Sequence, residues 1–212
     1  MAALSRIVLA SGNAGKLREM QALLAPTGIE LVPQGQLGVP DADEPHLTFL
    51  ENALEKARHA SRLTGLPGLA DDSGLCVTAL GGAPGVRSAR YACVDEHSPR
   101  SDAANNARLV AELRDQADRS AWFCSVLVLV RSADDPQPLV AEGVWYGEVT
   151  DLPRGAGGFG YDAHFLLPEL SLTAAELDAA TKNRLSHRAQ AMAALLERLQ
   201  AARLLPTPPG AR

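Results

Sequence analysis

The sequence has few cysteines, no excess of basic charge and no long apolar run, and each shortage closes off a class of function. Its three cysteines, Cys76, Cys93 and Cys124, are odd in number and widely separated, without metal-ligand spacing. That argues against a disulfide scaffold and leaves three reduced, small hydrophobes. The formal net charge is −5 and the pI about 5.5, which argues against a broad nucleic-acid-binding face but leaves room for a local basic pocket. No apolar run reaches the roughly 18 residues of a membrane span. Met1–Ser11 reads as a strand lead-in and lacks a signal-peptide pattern. There are no internal repeats. The expectation is a cytoplasmic protein with neither a membrane nor a nucleic acid as partner. What is present is globular composition, 46% hydrophobic and 21% charged over 212 residues. It predicts one domain over residues 1–205 and a disordered tail over 206–212.

Ile7-Val8-Leu9-Ala10 is a continuous apolar run, as in a strand covered on both faces. Ser11-Gly12-Asn13-Ala14-Gly15-Lys16 follows, and then Leu17, Met20, Leu23 and Leu24 share one helical face that Pro26 closes. Strand, glycine turn and helix together set backbone N–H groups and a positive helix end against an anion. Lys16 opposes the helix dipole, a penalty that a bound phosphate would reverse; a solvated lysine on a plain turn is the alternative. The stretch is not a Walker A loop, because Ala10 stands where the first glycine should be and Leu17 where Ser or Thr should be. Ile29–Val32 predicts a short strand. The loop from Pro33 to His46 ends in Asp41-Ala42-Asp43-Glu44, which is either a solvated turn or part of a magnesium site. Thr48-Phe49-Leu50-Glu51 is a capping box and predicts a helix to about Thr64, stopped by Gly65. Leu50, Ala53, Leu54, Ala57 and Leu63 mark its expected buried side. Asn52, Lys56 and His59 form a separate stripe, solvated unless it faces a site.

Gly68-Leu69-Ala70-Asp71-Asp72-Ser73-Gly74-Leu75 reads as a buried strand delivering carboxylates to a turn at its end, or as a plain polar turn. Side chains alternate along a strand, so one aspartate can work in a site while the other serves backbone, cation or water. A helix is predicted from about Ser101 to Leu113, then strands at Phe123–Val130 and Leu139–Val149 joined by a hairpin-length loop. Arg154 to Asp162 offers four glycines, two aromatics and a carboxylate, which suits a flat purine. Thr173-Ala174-Ala175-Glu176 is another capping box opening a short helix. Lys182 and Ser186-His187-Arg188 precede or open a last helix with Leu185, Ala189, Met192, Leu196 and Leu199 facing the core. His187 and Arg188 are electrostatically misplaced there unless they meet an anion or a base. Cationic turns, a loop for a base and a carboxylate pair for a metal together describe a nucleoside polyphosphate. A carboxylate about 4 Å from a phosphate charge costs about 4 kcal/mol at an effective dielectric near 20, so Asp72 beside phosphates implies Mg²⁺. With no Ser–His–Asp or Cys–His nucleophile apparent, activated water is the natural attacking group.

These motifs, in this order from Ile7 to about Leu204, resemble the inosine triphosphate pyrophosphatase family (the RdgB-like dITP/XTP pyrophosphatases). The carriers are Ser11–Lys16, Thr48–Ala53 with Lys56-Ala57, Ala70–Leu75, Gly81–Gly85, Gly157–Asp162 and Ser186–Arg188. The resemblance implies an α/β fold with a mixed central β-sheet flanked by helices, two lobes with an active-site cleft between them, and a homodimer. It implies Mg²⁺-dependent hydrolysis of ITP, dITP and XTP to the monophosphate and pyrophosphate, cleansing the nucleotide pool. By position, Asp72 would be proton acceptor and metal ligand, with Glu44 as the second metal carboxylate. Ser11, Gly12, Asn13, Ala14, Gly15 and Lys16, with Lys56 and Ser73, would hold phosphates and sugar. Phe159, Gly160, Tyr161, Asp162, Lys182, His187 and Arg188 would contact the base and phosphates. Hypoxanthine and xanthine carry a 6-oxo acceptor where adenine has an amino donor, so donors at His187 or Arg188 would discriminate between them.

Departures from the family pattern fall at Pro45-His46-Leu47, Ala163-His164 and Ala180-Thr181, and none removes a residue assigned a role. Two other readings stand beside this one. A non-catalytic nucleotide sensor would not need Asp72, Glu44 and Lys16 together. A pyrophosphatase for modified pyrimidines would not need a purine-sized loop at Phe159–Asp162.

Overall fold

A computed structural model of the chain describes residues 3–95 and 98–206; nearly all of the expected tail, 207–212, lies outside the described residues. In chain order the elements are β1 (Arg6–Ala10), α1 (Ala14–Leu24), β2 (Glu30–Pro33), α2 (Phe49–Thr64) and β3 (Gly68–Val77). Then come α3 (Asp102–Glu112), β4 (Ser120–Val130), β5 (Leu139–Val149), β6 (Phe165–Leu167), β7 (Leu172–Thr173), α4 (Ala179–Leu185) and α5 (His187–Ala201). The strands form one seven-stranded sheet in the order β2-β1-β3-β4-β5-β6-β7. Pairing is parallel for β1 with β2 and β3, and antiparallel for β6 with β5 and β7, so this is the mixed α/β sheet the sequence suggests.

The chain divides into two compact units. The first is drawn from the chain up to Asp72, from Ser125–Gly143 and from Arg188 onward; the second comprises Ser73–Cys124 and Val144–His187. Each has its own apolar core. Ile7, Leu9, Met20, Leu69, Leu127, Met192 and Leu195 centre the first, and Leu75, Leu109, Phe123, Trp145, Tyr161 and Phe165 the second. Each such side chain contributes about 1.5–3 kcal/mol when fully buried. All three cysteines are free thiols, and burial pushes that of Cys76 up to about 11. No helix among the described residues is long and apolar enough to cross a membrane.

The local signals worked as their chemistry predicts. Thr48 caps α2 by accepting the Glu51 N–H, and Gly65 ends it in the left-handed conformation at φ 70°. Ser101 caps α3 through the Ala104 N–H. The Thr173 capping box opens a single 3₁₀ turn at Ala174–Glu176, and the α-helix begins only at Ala179, where Asp178 caps it.

Three expectations are corrected. The Asp71–Gly74 stretch is no turn: β3 runs straight through it, because β4 flanks β3 where β1 has already ended opposite Ala70. On α2, Leu50 and Leu63 are 44% and 55% exposed, while Asn52, Lys56 and Ser61 are buried with Ala53, Ala57 and Ala60. The reason is close packing. A Cβ on Gly68 would lie 2.3 Å from the Ala57 carbonyl oxygen, so only small residues fit the contact face, and the polar stripe turns inward beside it. On α5, Leu195 is buried where Leu196 is only half-buried, and Leu185 ends α4 and packs on the second core.

Candidate active site

In the first unit, seven charged side chains interlock around the carboxyl end of β1 and the middle of β3. Register places Ala70 beside Ala10, so Asp71 follows where β1 gives way to the Ser11–Lys16 turn. Asn13 caps α1 there, its side-chain oxygen accepting the N–H groups of Gly15 and Lys16 at 2.9 and 3.0 Å. This leaves the N–H groups of Gly12 and Ala14 as those the turn can offer to an anion. The Lys16 ammonium lies 3.0 Å from Asp71 Oδ2. Arg188 donates to the same oxygen through Nη2 at 3.2 Å and Nε at 3.3 Å, and its Nη1 pairs with Glu19. The Ser125 hydroxyl donates to Asp71 Oδ1 at 2.6 Å.

Lys56 fills the other half of the network. Its ammonium donates to Asp72 Oδ1 at 2.7 Å, Glu44 Oε1 at 2.9 Å and the Asp71 carbonyl at 3.0 Å, which uses all three donors. Asn52 holds the Glu44 loop in place by bracketing the His46 backbone, accepting its N–H at 3.0 Å and donating to its carbonyl at 3.2 Å. The stripe of Asn52 and Lys56 is therefore buried and structural chemistry runs along it.

The adjacent aspartates are pulled in opposite directions. Burial works against the charge on Asp71, but Lys16 and Arg188 beside it, with the Ser125 hydroxyl, hold its carboxyl far below the usual range. At Asp72 burial outweighs the pull of Lys56 and Lys16 and raises the carboxyl, with the nearby Glu44 charge adding to the rise. Burial lowers Lys16 despite Asp71, whereas at Lys56 the Asp72 and Glu44 carboxylates overcome burial and raise it. Two carboxyls driven apart in this way divide into a permanently ionised group and one able to take a proton.

The second unit gathers a different set. Lys182 donates to Asp162 Oδ2 at 2.6 Å and sits 5.0 Å from the centroid of the Phe159 ring, in cation–π geometry. Asp162 Oδ2 also accepts the Phe159 N–H at 2.9 Å. Gly158, at φ +74°, allows this closeness, since a Cβ there would lie 2.0 Å from Asp162 Oδ2. Tyr161 is 4% exposed and packs in the core, with its hydroxyl donating to the Ser88 carbonyl at 2.8 Å. His187 stacks on Phe123, ring centroids 4.8 Å apart and planes 12° apart, with Trp145 beyond it. Ser73 is half-buried within β3.

Comparison with known proteins now places this geometry. The model of the Ham1 family matches residues 7–198. The chain belongs to the Ham1 family. It is 69% identical over 195 residues to a dITP/XTP pyrophosphatase of Ralstonia nicotianae, covering 92% of this chain and 96% of that protein. A dITP/XTP pyrophosphatase of Bordetella pertussis is 65% identical over 198 residues, covering 93% and 92%. Among solved structures, a HAM1 protein from Coxiella burnetii superposes with a TM-score of 0.84 at 48% identity, over 93% of this chain and all of that one (100%). The Staphylococcus aureus Ham1 protein gives 0.81 at 35% identity, over 93% and 99%.

Measured against the motifs of the Ham1 chain, the structure gathers Lys16, Glu44, Lys56, Asp71 and Asp72 in one network and Phe159, Asp162 and Lys182 in another. Two of the residues expected at the base and phosphates have partners within the protein. Arg188 is 2% exposed with its guanidinium engaged by Asp71 and Glu19, and the Tyr161 ring belongs to the core. The anion that relieves Lys16 at its helix start is Asp71, a group of the protein itself. Sequence reasoning missed Glu19 and Ser125. Ser125 had a signal, a single hydroxyl inside the apolar run Phe123–Val130; Glu19, three residues after Lys16 on α1, had only helical spacing.

Proposed function

We propose that the chain is a nucleoside triphosphate pyrophosphatase that hydrolyses the deaminated purine nucleotides ITP, dITP and XTP to the monophosphate and pyrophosphate. The observation that carries this reading is the buried network in which Lys16 and Arg188 hold Asp71 while Lys56 joins Asp72 to Glu44. High identity to dITP/XTP pyrophosphatases supports the substrate class.

The residues also fit a divalent cation. No group of three or more His, Cys, Asp or Glu side chains arranged for a metal exists among the described residues. Mg²⁺ does not need one, since it takes one or two carboxylates together with water and phosphate oxygens. Asp72 Oδ2 is buried without a hydrogen-bond partner, and the network sets four carboxylates against three cations. Asp72 and Glu44 would hold the ion. Bound there, Mg²⁺ neutralises phosphate charge and polarises the phosphorus under attack.

The protein's own groups supply the rest. Asp72 would take a proton from the attacking water. Lys56 fixes Asp72 and Glu44 relative to each other. Lys16 and the Gly12 and Ala14 N–H groups receive phosphate oxygens, and Asp71 places Lys16 and opposes the effect of its burial. Phe159 offers its ring to the base and Lys182 a cation to its 6-oxo acceptor, an arrangement that leaves an adenine amino group unmatched. The family resemblance further supports a homodimer acting on free nucleotides in the cytoplasm, without nucleic-acid or membrane partners.

The test is a nucleotide panel with purified protein and Mg²⁺, with both products identified. ITP, dITP and XTP should yield monophosphate and pyrophosphate far faster than ATP or GTP. Equal rates sink the selectivity, and binding of ITP without product makes the chain a sensor.

A further inference from the structure

We propose that Asp102 and Asn106 on α3 are positioning residues for base selection, acting through the peptide of Gly160. The inference deepens the pyrophosphatase reading and rests on it. Asp102 is the first residue of α3 and Asn106 lies one turn later on the same face. Asp102 Oδ2 accepts the Gly160 N–H at 2.8 Å, and Asn106 Nδ2 donates to the Gly160 carbonyl at 2.9 Å. One peptide-bearing residue is thus gripped from both sides by one helix face.

The grip falls where the loop has least support of its own. Tyr161 and Asp162 are buried, and Tyr161 is tied to Ser88. Gly160 stands before them at φ +63°, a conformation that favours glycine, and a Cβ there would meet nothing within 4 Å. Phe159 precedes it, its N–H and carbonyl paired with Asp162, and the hold on Gly160 supports that turn from the side of α3. On the side of Ala163 and His164, α3 borders a cavity of about 470 Å³ lined by its own Ala103, Ala107 and Val110. α3 is anchored on the core by Leu109 and Leu113, which pack in the same cluster as Tyr161, and the two hydrogen bonds tie its first turns to Gly160.

Asn106 is half-buried and lines the same pocket. Its Oδ1 is buried without a hydrogen-bond partner. A buried unsatisfied carbonyl in a native fold calls for a reason, and the donor on the same amide supplies one by fixing Gly160.

The experiment compares wild type with Asp102→Ala, Asp102→Asn and Asn106→Ala. It reads kcat and KM for ITP and for ATP, together with hydrogen exchange of the 154–165 backbone. Loss of either bond should raise KM for ITP by about three- to tenfold, as removal of one ordinary hydrogen bond does. It should lower the ITP-to-ATP ratio of kcat/KM by a similar factor, leave kcat within about twofold and speed exchange at Gly160. Asp102→Asn keeps the acceptor and should restore wild-type values. Unchanged KM and ratio in both alanine variants overturn the proposal, as does an equal loss on ITP and ATP, which marks a merely structural role. Wild type inert toward ITP overturns the pyrophosphatase reading instead, a result recorded before any variant is compared.

Discussion

The two units hold their polar groups by opposite means. In the first, the buried charges are held mostly by side chains: Asp71 meets Lys16, Arg188 and Ser125, and Lys56 joins Asp72 to Glu44. In the second, side chains mostly hold backbone: Asp162 takes the Phe159 N–H, Tyr161 reaches the Ser88 carbonyl, and Asp102 and Asn106 bracket Gly160. A network of buried charges preorganises electrostatics where charge moves during reaction, and it is expensive to break. A loop held by its backbone instead preorganises shape. Turnover and stability should therefore depend on the first unit, and affinity and selectivity on the second.

The largest expected effect tests the first half of that contrast. Asp72→Asn removes the proton acceptor and one metal carboxylate but keeps the side chain's size. We expect kcat to fall by about 10²–10⁴ in a protein that still folds; turnover within tenfold of wild type takes Asp72 out of the mechanism. Next comes Arg188→Met. Removing one member of a buried ion pair costs about 3–5 kcal/mol, here because Glu19 and part of the Asp71 charge lose their partner. Urea unfolding reads that loss. If Arg188 instead contacts the base, stability stays and KM alone rises, which restores the role the motif suggested.

The pairing of Arg188 with Asp71 and Glu19 marks the reach of local rules. Caps, strand limits and the parallel start of the sheet follow from local rules, so Thr48, Gly65 and Ser101 ended elements where their chemistry requires. The alternation along β3 correctly separated the partners of Asp71 from those of Asp72. What local rules cannot supply is the far partner. Arg188 looks like a ligand donor because its helix position is unfavourable, and only the fold reveals that Asp71, 117 residues away in sequence, relieves it. The inward turn of Asn52 and Lys56 was hidden for a similar reason. It depends on the glycine at the start of the next strand, which lets the helix approach on its alanines.

The second half of the contrast is tested by Phe159→Leu, which keeps apolar bulk but loses the ring beside Lys182. Stacking of a base on an aromatic is worth about 1–3 kcal/mol, so KM for ITP should rise about tenfold with kcat nearly unchanged. A fall in kcat at constant KM would place the ring in the chemistry and erase the division between the units.

The smallest expected effect separates ion pairing from catalysis within the first unit. Asp135 is 3% exposed and accepts hydrogen bonds from Arg131 N and Nε at 2.9 and 2.8 Å and from Gln137 N at 2.9 Å. Arg131 above all holds its carboxyl well below the usual range, with burial opposing. Because the folded value lies below the unfolded one, about 3.9, the carboxylate's stabilisation is complete above the unfolded value. It is lost as pH falls through the folded one. Asp135→Asn should therefore lower the unfolding free energy by about 1 kcal/mol at neutral pH, a modest figure because Arg131 is partly solvated. The two proteins should converge in acid, since wild type loses this contribution and the variant has none to lose. Curves that stay parallel from about pH 5 to pH 2 would show that the charge of Asp135 carries no stability. ITP turnover should be the same in both, since this buried carboxylate shares the unit of Asp71 and Asp72 but contacts neither.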